Sequence, residues 1–142
     1  MTIRVLIADD HPIFVSGLRA TFDDADDIEI VGTVVDGAEA VTSATELVPD
    51  VLLMDVRMPG MNGIDATRAI VASGSPVAVV VLTMFEDDET VFAAMSAGAR
   101  GYLVKGATQE RIVMVIKITA AVLMIAGVLV YRGVFASYFT GE

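Results

Sequence analysis

Three aspartates, a threonine and a lysine of this chain each close an apolar run of strand length. "IRVLIA" leads into Asp9 and Asp10, "DVLLMD" ends in Asp55, "VAVVVLT" ends in Thr83, and "GYLV" leads into Lys105. Carboxylates converging on one edge repel each other unless a cation sits among them. Oxygen donors without Cys or His favour a hard ion, and a largely hydrated Mg²⁺ suits a few carboxylates beside a phosphate. A nearby lysine would offset further negative charge, and a threonine hydroxyl could donate to a phosphoryl oxygen. A carboxylate held against Mg²⁺ can itself accept a phosphoryl group as an aspartyl-phosphate. Taken singly, each residue has a plainer reading: an Asp at a strand end caps a helix, Thr83 is a strand former, and Lys105 is a solvated charge. His11 reads as a partly exposed loop residue rather than a metal ligand or base, and Phe85 and Tyr102 as packing residues. The chemistry rests on the joint pattern of five polar residues at four strand ends.

The elements that must position them alternate. Strand-like runs cover 3–8, 28–34, 50–55, 77–83 and 101–104, and the apolar ones have the Val, Ile and Leu content of strands buried on both faces of a parallel sheet. Helix-length segments lie between them, over 12–22, 38–47, 64–72, 88–97 and from Thr108 onward. Pro12 suits a first helical turn, and Thr108 offers an N-cap followed by Glu110 in the first turn. Such alternation predicts an α/β fold, a three-layer, doubly wound, five-stranded parallel sheet with right-handed crossovers. Ligands of such folds bind at the carboxyl ends of the strands, near the switch point.

Charge and composition exclude several functions. The net charge is −10, with six basic and seventeen acidic residues up to Lys105. A body this acidic repels nucleic-acid phosphates. Absence of cysteine excludes disulfides, thiol catalysis and thiolate metal sites. The first residues, "MTIRVLIADD", lack the apolar core and cleavage site of a signal peptide, so a cytoplasmic location is expected.

"VLIADDHPIFVSGLRATF", "PDVLLMDVRMPGMNGIDATRAI" and "VVVLTMFEDDETVFAAMSAGARGYLVKGATQE" together resemble the receiver domain of two-component response regulators. The Asp-Asp-His-Pro opening and "DVRMPGMNG" are most similar to the NarL/FixJ (LuxR-type) subfamily of transcription regulators. The resemblance implies the flavodoxin-like receiver fold and assigns roles residue by residue. Asp55 would be the phosphoacceptor for a sensor histidine kinase. Asp10 would bind Mg²⁺ directly, Asp9 through water, and Arg57 through its backbone carbonyl. Thr83 and Lys105 would contact the phosphoryl group, and Tyr102 would be the aromatic whose rotation accompanies activation. The chain would then be a switch rather than a turnover enzyme, with residues 1–117 as the receiver. DNA would be reached only through a helix-turn-helix domain absent from this chain. Met84 departs from the small residue usual after the threonine, and its bulk is expected to hinder approach to Asp55.

Rival readings fit less well. A haloacid-dehalogenase-type phosphatase needs a second Asp two residues after the nucleophile, where this chain has Arg57. An FMN binder needs a Ser/Thr/Gly-rich loop after the first strand, where "DDHP" presents carboxylates. A stand-alone or degenerate receiver, acting only as an interaction or dimerisation module, is the alternative within the family.

The last segment is over-apolar. From Thr108 the composition allows one helix through Ile125 or farther. Ile112, Ile116, Ala120 and Leu123 form a stripe suited to the sheet, and Met114, Ile118, Val122 and Ile125 form a second stripe on the opposite side. The uncharged run "ITAAVLMIAGVLVY" would span about 21 Å as a helix, short of a hydrocarbon core of roughly 30 Å. Extending it backward takes in Lys117, which is costly mid-span, so membrane insertion is not favoured. A turn at Gly127 that folds "VLVYRGVFASYF" back onto the domain is one alternative. The favoured expectation is that residues 118–142 are an apolar helical extension, or the start of an interdomain linker, that pairs two chains into a homodimer.

Overall fold

The computed structural model describes residues 2–122. Its strands are β1 (Ile3–Ala8), β2 (Ile28–Val34), β3 (Val51–Asp55), β4 (Ala78–Thr83) and β5 (Gly101–Val104). The helices are α1 (Pro12–Asp23), α2 (Gly37–Leu47), α3 (Gly63–Ala72), α4 (Asp88–Ser96) and α5, described over 109–122. All strand pairs are parallel, in the order β2-β1-β3-β4-β5. From β1 the chain goes to β2 on one side and to β3 on the other. The switch point therefore lies between the carboxyl ends of β1 and β3, where Asp9, Asp10 and Asp55 stand.

Alternation along the strands divides the core between two faces. Val5, Ile7, Leu53, Val80, Leu82 and Leu103 point to a layer built with Leu18 and Phe22 of α1 and Ile112, Ile116 and Ala120 of α5. Leu6, Leu52, Met54, Val79 and Val81 point the other way, against Ala40 and Ala44 of α2, Ala66 and Ile70 of α3 and Ala94 of α4. Every residue of β3 and β4 is buried, as strands covered on both faces must be.

Local chemistry sets the helix starts. Pro12 opens α1, where its missing N–H is harmless. Asp36 caps α2 by accepting from the Glu39 N–H, while the Glu39 carboxylate accepts from the Val35 N–H, a reciprocal cap that starts the helix at Gly37. Asn62 and Asp87 cap α3 and α4 in the same manner. Thr108 caps α5, its hydroxyl accepting from the Arg111 N–H. At the base of the sheet, Asp50 lies just outside β3 because its carboxylate accepts the Arg4 N–H at 2.8 Å.

The inward stripe expected of α5 is present through Ala120, with Ile116 fully buried. Met114, Ile118 and Val122, on the expected second stripe, are about half exposed. Leu123, Ile125, the expected turn at Gly127 and nearly all of the 118–142 extension lie outside the described residues. No helix among the described residues is long and apolar enough to cross a membrane.

Candidate functional site

The strand ends bring the anticipated residues together. The Asp9 side chain is completely buried; one of its oxygens accepts from the His11 N–H at 2.8 Å and the other lies 2.8 Å from Lys105 Nζ. Asp55, 4% exposed, ends β3 with Oδ2 3.4 Å from Lys105 Nζ. Its Oδ1 lies 3.4 Å from the Arg57 N–H. Thr83, also buried, turns its hydroxyl toward the same space, and neither Thr83 Oγ1 nor Asp10 Oδ1 has a hydrogen-bond partner among the described residues. Asp10, Asp55, Arg57, Thr83 and Met84 line a cavity of about 260 Å³. Lys105 arrives from β5 because its N–H donates to the Thr83 carbonyl at 2.7 Å, and its ammonium lies 4.9 Å from the centre of the Phe14 ring. That contact with an aromatic face helps hold the ammonium at this edge.

One neighbouring glycine is required by packing. A Cβ at Gly63 would sit 2.0 Å from the Asp55 carbonyl oxygen. Only glycine lets α3 start this close to the end of β3. The Gly63 N–H donates to the Val56 carbonyl at 2.8 Å and ties the loop after Asp55 to that helix.

Charge in the pocket is unbalanced. Three carboxylates face one lysine, leaving about two negative charges, which is the deficit a divalent cation fills. Burial pushes the Asp55 carboxyl above the usual carboxylate range, and the Asp9 charge pushes it further, against the pull of Lys105. The donor chemistry fits a metal ion: ligand atoms of Asp9, Asp10, His11 and Asp55 all lie within 4.8 Å of one another.

The model of the response regulator receiver domain matches residues 5–117. The chain belongs to that family. It is 48% identical over 103 residues to the transcriptional regulatory protein LiaR of Bacillus subtilis, covering 72% of this chain and 49% of that one. It is 40% identical over 119 residues to the response regulator GacA of Pseudomonas viridiflava, covering 84% and 56%. This receiver thus spans about half the length of the curated relatives it matches. Among solved structures, the receiver domain of the response regulator NarL from Mycobacterium tuberculosis superposes with a TM-score of 0.82 at 32% identity, covering 84% of this chain and 97% of that one. A LuxR-family regulator from Aurantimonas sp. gives a TM-score of 0.80 at 31% identity, covering 85% and 86%.

Two placements refine the sequence reading of this receiver. Tyr102 lies outside the pocket, on the outer surface of β5, with its hydroxyl donating to the Glu86 carboxylate. His11 was read as a partly exposed loop residue, and its side chain is 54% exposed. Yet its Nδ1 enters the acidic cluster, 2.7 Å from Asp9, 3.3 Å from Asp10 and 3.3 Å from Asp55. Sequence reasoning missed that placement. The available signal was position: a residue directly after two clustered aspartates stays at the strand edge when the next residue, Pro12, starts a helix.

Proposed function

We propose that Asp55 accepts a phosphoryl group from a sensor histidine kinase, with Mg²⁺ as cofactor, and that this switches the output of a cytoplasmic transcription regulator. The observation that carries the reading is the buried Asp55 carboxylate at the edge of a cavity also lined by Thr83 and Asp10, with Lys105 Nζ 3.4 Å away. Asp10 and Asp55 would hold the metal directly, Asp9 through water and Arg57 through its backbone carbonyl. When bound, the metal offsets charge on the phosphoryl oxygens during in-line transfer.

The rest is the work of this chain. An Asp55 oxygen attacks phosphorus, the P–O bond forms as the P–N bond of the kinase's phosphohistidine breaks, and the imidazole leaves with the electron pair. Lys105 is placed to shift from its pairing with Asp9 toward the new phosphoryl oxygens. Thr83, whose hydroxyl has no partner among the described residues, gains one there. Moving Thr83 inward opens space beneath its loop for Tyr102 to leave Glu86 and turn in. A local charge change is thereby read on the α4-β5-α5 face.

Incubation with a small phosphodonor and Mg²⁺, followed by intact-mass measurement, tests this directly. The wild type gains one phosphoryl group and Asp55→Asn gains none. No gain in the wild type, or the same gain in Asp55→Asn, would overturn the assignment and favour an interaction module.

We also propose that two chains pair through α5 as a homodimer. The support is the half-exposed row Met114, Ile118 and Val122, one face of a helix whose other face is already committed to the core. DNA would be reached only through a further domain outside this chain.

A further inference from the structure

His11 Nδ1 meets all three carboxylates of the site, and an imidazole nitrogen there changes which metal the site prefers. Magnesium takes oxygen ligands almost exclusively, whereas imidazole suits the later first-row ions and Zn²⁺. Ions that bind nitrogen at about 2.1 Å bring opposite donors to within about 4.2 Å of each other. The four candidate donor atoms already fall within 4.8 Å, so closing on such an ion needs shifts of only a few tenths of an ångström. Side-chain freedom supplies them, because His11 is 54% and Asp10 32% exposed while Asp9 and Asp55 are fixed by burial. A second observation points to a ligand at the same place: buried Asp55 Oδ2 and Thr83 Oγ1 and the Asp10 Oδ1 atom have no hydrogen-bond partner among the described residues.

We propose that His11 is a specificity-determining metal ligand that makes this carboxylate pocket a mixed oxygen and nitrogen site, favouring Co²⁺ and Zn²⁺ over Mg²⁺. The inference rests on the carboxylate pocket being a metal site and adds the nitrogen donor to it. It changes which ion the receiver carries at a given mixture of ions, not whether Asp55 can be phosphorylated. With Mg²⁺, the carboxylates alone suffice and His11 stays aside. With Co²⁺ or Zn²⁺, the imidazole joins them.

His11 is the single histidine of the chain, so an imidazole signal from untagged protein can have no other source. Calorimetric titrations with Mg²⁺, Co²⁺ and Zn²⁺ on the wild type, His11→Asn and Asp10→Asn read the preference. Electron spin-echo spectroscopy of the Cu²⁺-loaded protein reads nitrogen coordination. The expected result is imidazole modulation in the wild type and none in His11→Asn. His11→Asn should lose about tenfold or more in Co²⁺ and Zn²⁺ affinity, in line with the loss of a ligand or its support, while Mg²⁺ affinity changes less than about twofold. Equal loss for all ions, no loss for any, or absence of imidazole modulation in the wild type would overturn the proposal. If Asp10→Asn leaves binding of every ion intact, the carboxylate pocket is not the metal site, and the failure lies with the reading beneath.

Discussion

At the scale of single residues, the site stores unfavourable charge that its ligands relieve. Asp55 is buried beside Asp9, so its proton is held more tightly in the folded chain than in the unfolded one. For an acid with a raised folded pKa, folding is penalised above that pKa, and the penalty fades as pH falls toward the unfolded value. Asp55→Asn should therefore raise the unfolding midpoint of metal-free protein by a few degrees at neutral pH and by less near pH 4, as read by thermal melts in chelator. Saturating Mg²⁺ should shrink the difference, since the cation stabilises the wild type by binding only its folded site. A midpoint unchanged at neutral pH would mean that the Asp55 charge is already balanced. Glu86 acts on a second residue in the same currency: its hydrogen bond and its charge both push the Tyr102 phenol up from its ordinary value. In a Tyr131→Phe, Tyr138→Phe background, Glu86→Gln should bring the Tyr102 titration back toward about 10 in an absorbance titration. The same variant should leave Asp55 phosphorylation intact, because Glu86 lies outside the acceptor pocket.

Among the elements, α5 is the one whose two faces have different fates. Ile116 is fully buried in the layer with Phe22 and Leu53, so Ile116→Ala should cost about 2–5 kcal/mol in a denaturant melt, as deletions from a packed core do. Ile118 and Val122 stand on the opposite face, each 54% exposed, so Ile118→Glu with Val122→Glu should leave the fold stable. That double variant should run as a monomer in light scattering where the wild type runs as a dimer, with Asp55 still phosphorylatable. A monomeric wild type would remove the dimer reading. The elements themselves were legible in the sequence, because fully apolar runs such as "VAVVVLT" can only be strands covered on both sides. Boundaries moved where one polar interaction decided them: Asp50 was drawn out of β3 by Arg4, and the Asp36–Glu39 reciprocal cap began α2 at Gly37. The position of His11 Nδ1 was not legible, since it depends on the ring's rotation at the strand edge and not on residue spacing. Likewise the pairing of Lys105 with Asp9, shorter than that with Asp55, follows from burial depth, which a motif does not encode.

For the whole molecule, the question is how a change at the carboxyl ends of the strands reaches a surface on the other side of β4 and β5. The sheet offers a short route. Thr83 ends β4, pairs in register with Val104 of β5, and accepts the Lys105 N–H through its carbonyl. Tyr102 lies two residues before Val104 and is tied to Glu86, three residues after Thr83. A shift of Thr83 toward a phosphoryl group thus pulls on both ends of the segment that holds Tyr102 outward. The opposite side of the sheet has no such link, since α2 and α3 pack by small apolar contacts such as Ala40, Ala44 and Ala66. Phosphorylation should therefore change amide exchange along α4 and β5 and leave α2 and the body of α3 unchanged. Thr83→Ala separates chemistry from transmission. It removes a buried hydroxyl with no partner among the described residues, so the fold should be no less stable, and Asp55 should still take up phosphoryl at a reduced rate. Its α4 and β5 exchange should then stay at unphosphorylated levels even when intact mass shows the modification. If those amides respond in Thr83→Ala as in the wild type, the signal travels by some path other than the β4 end.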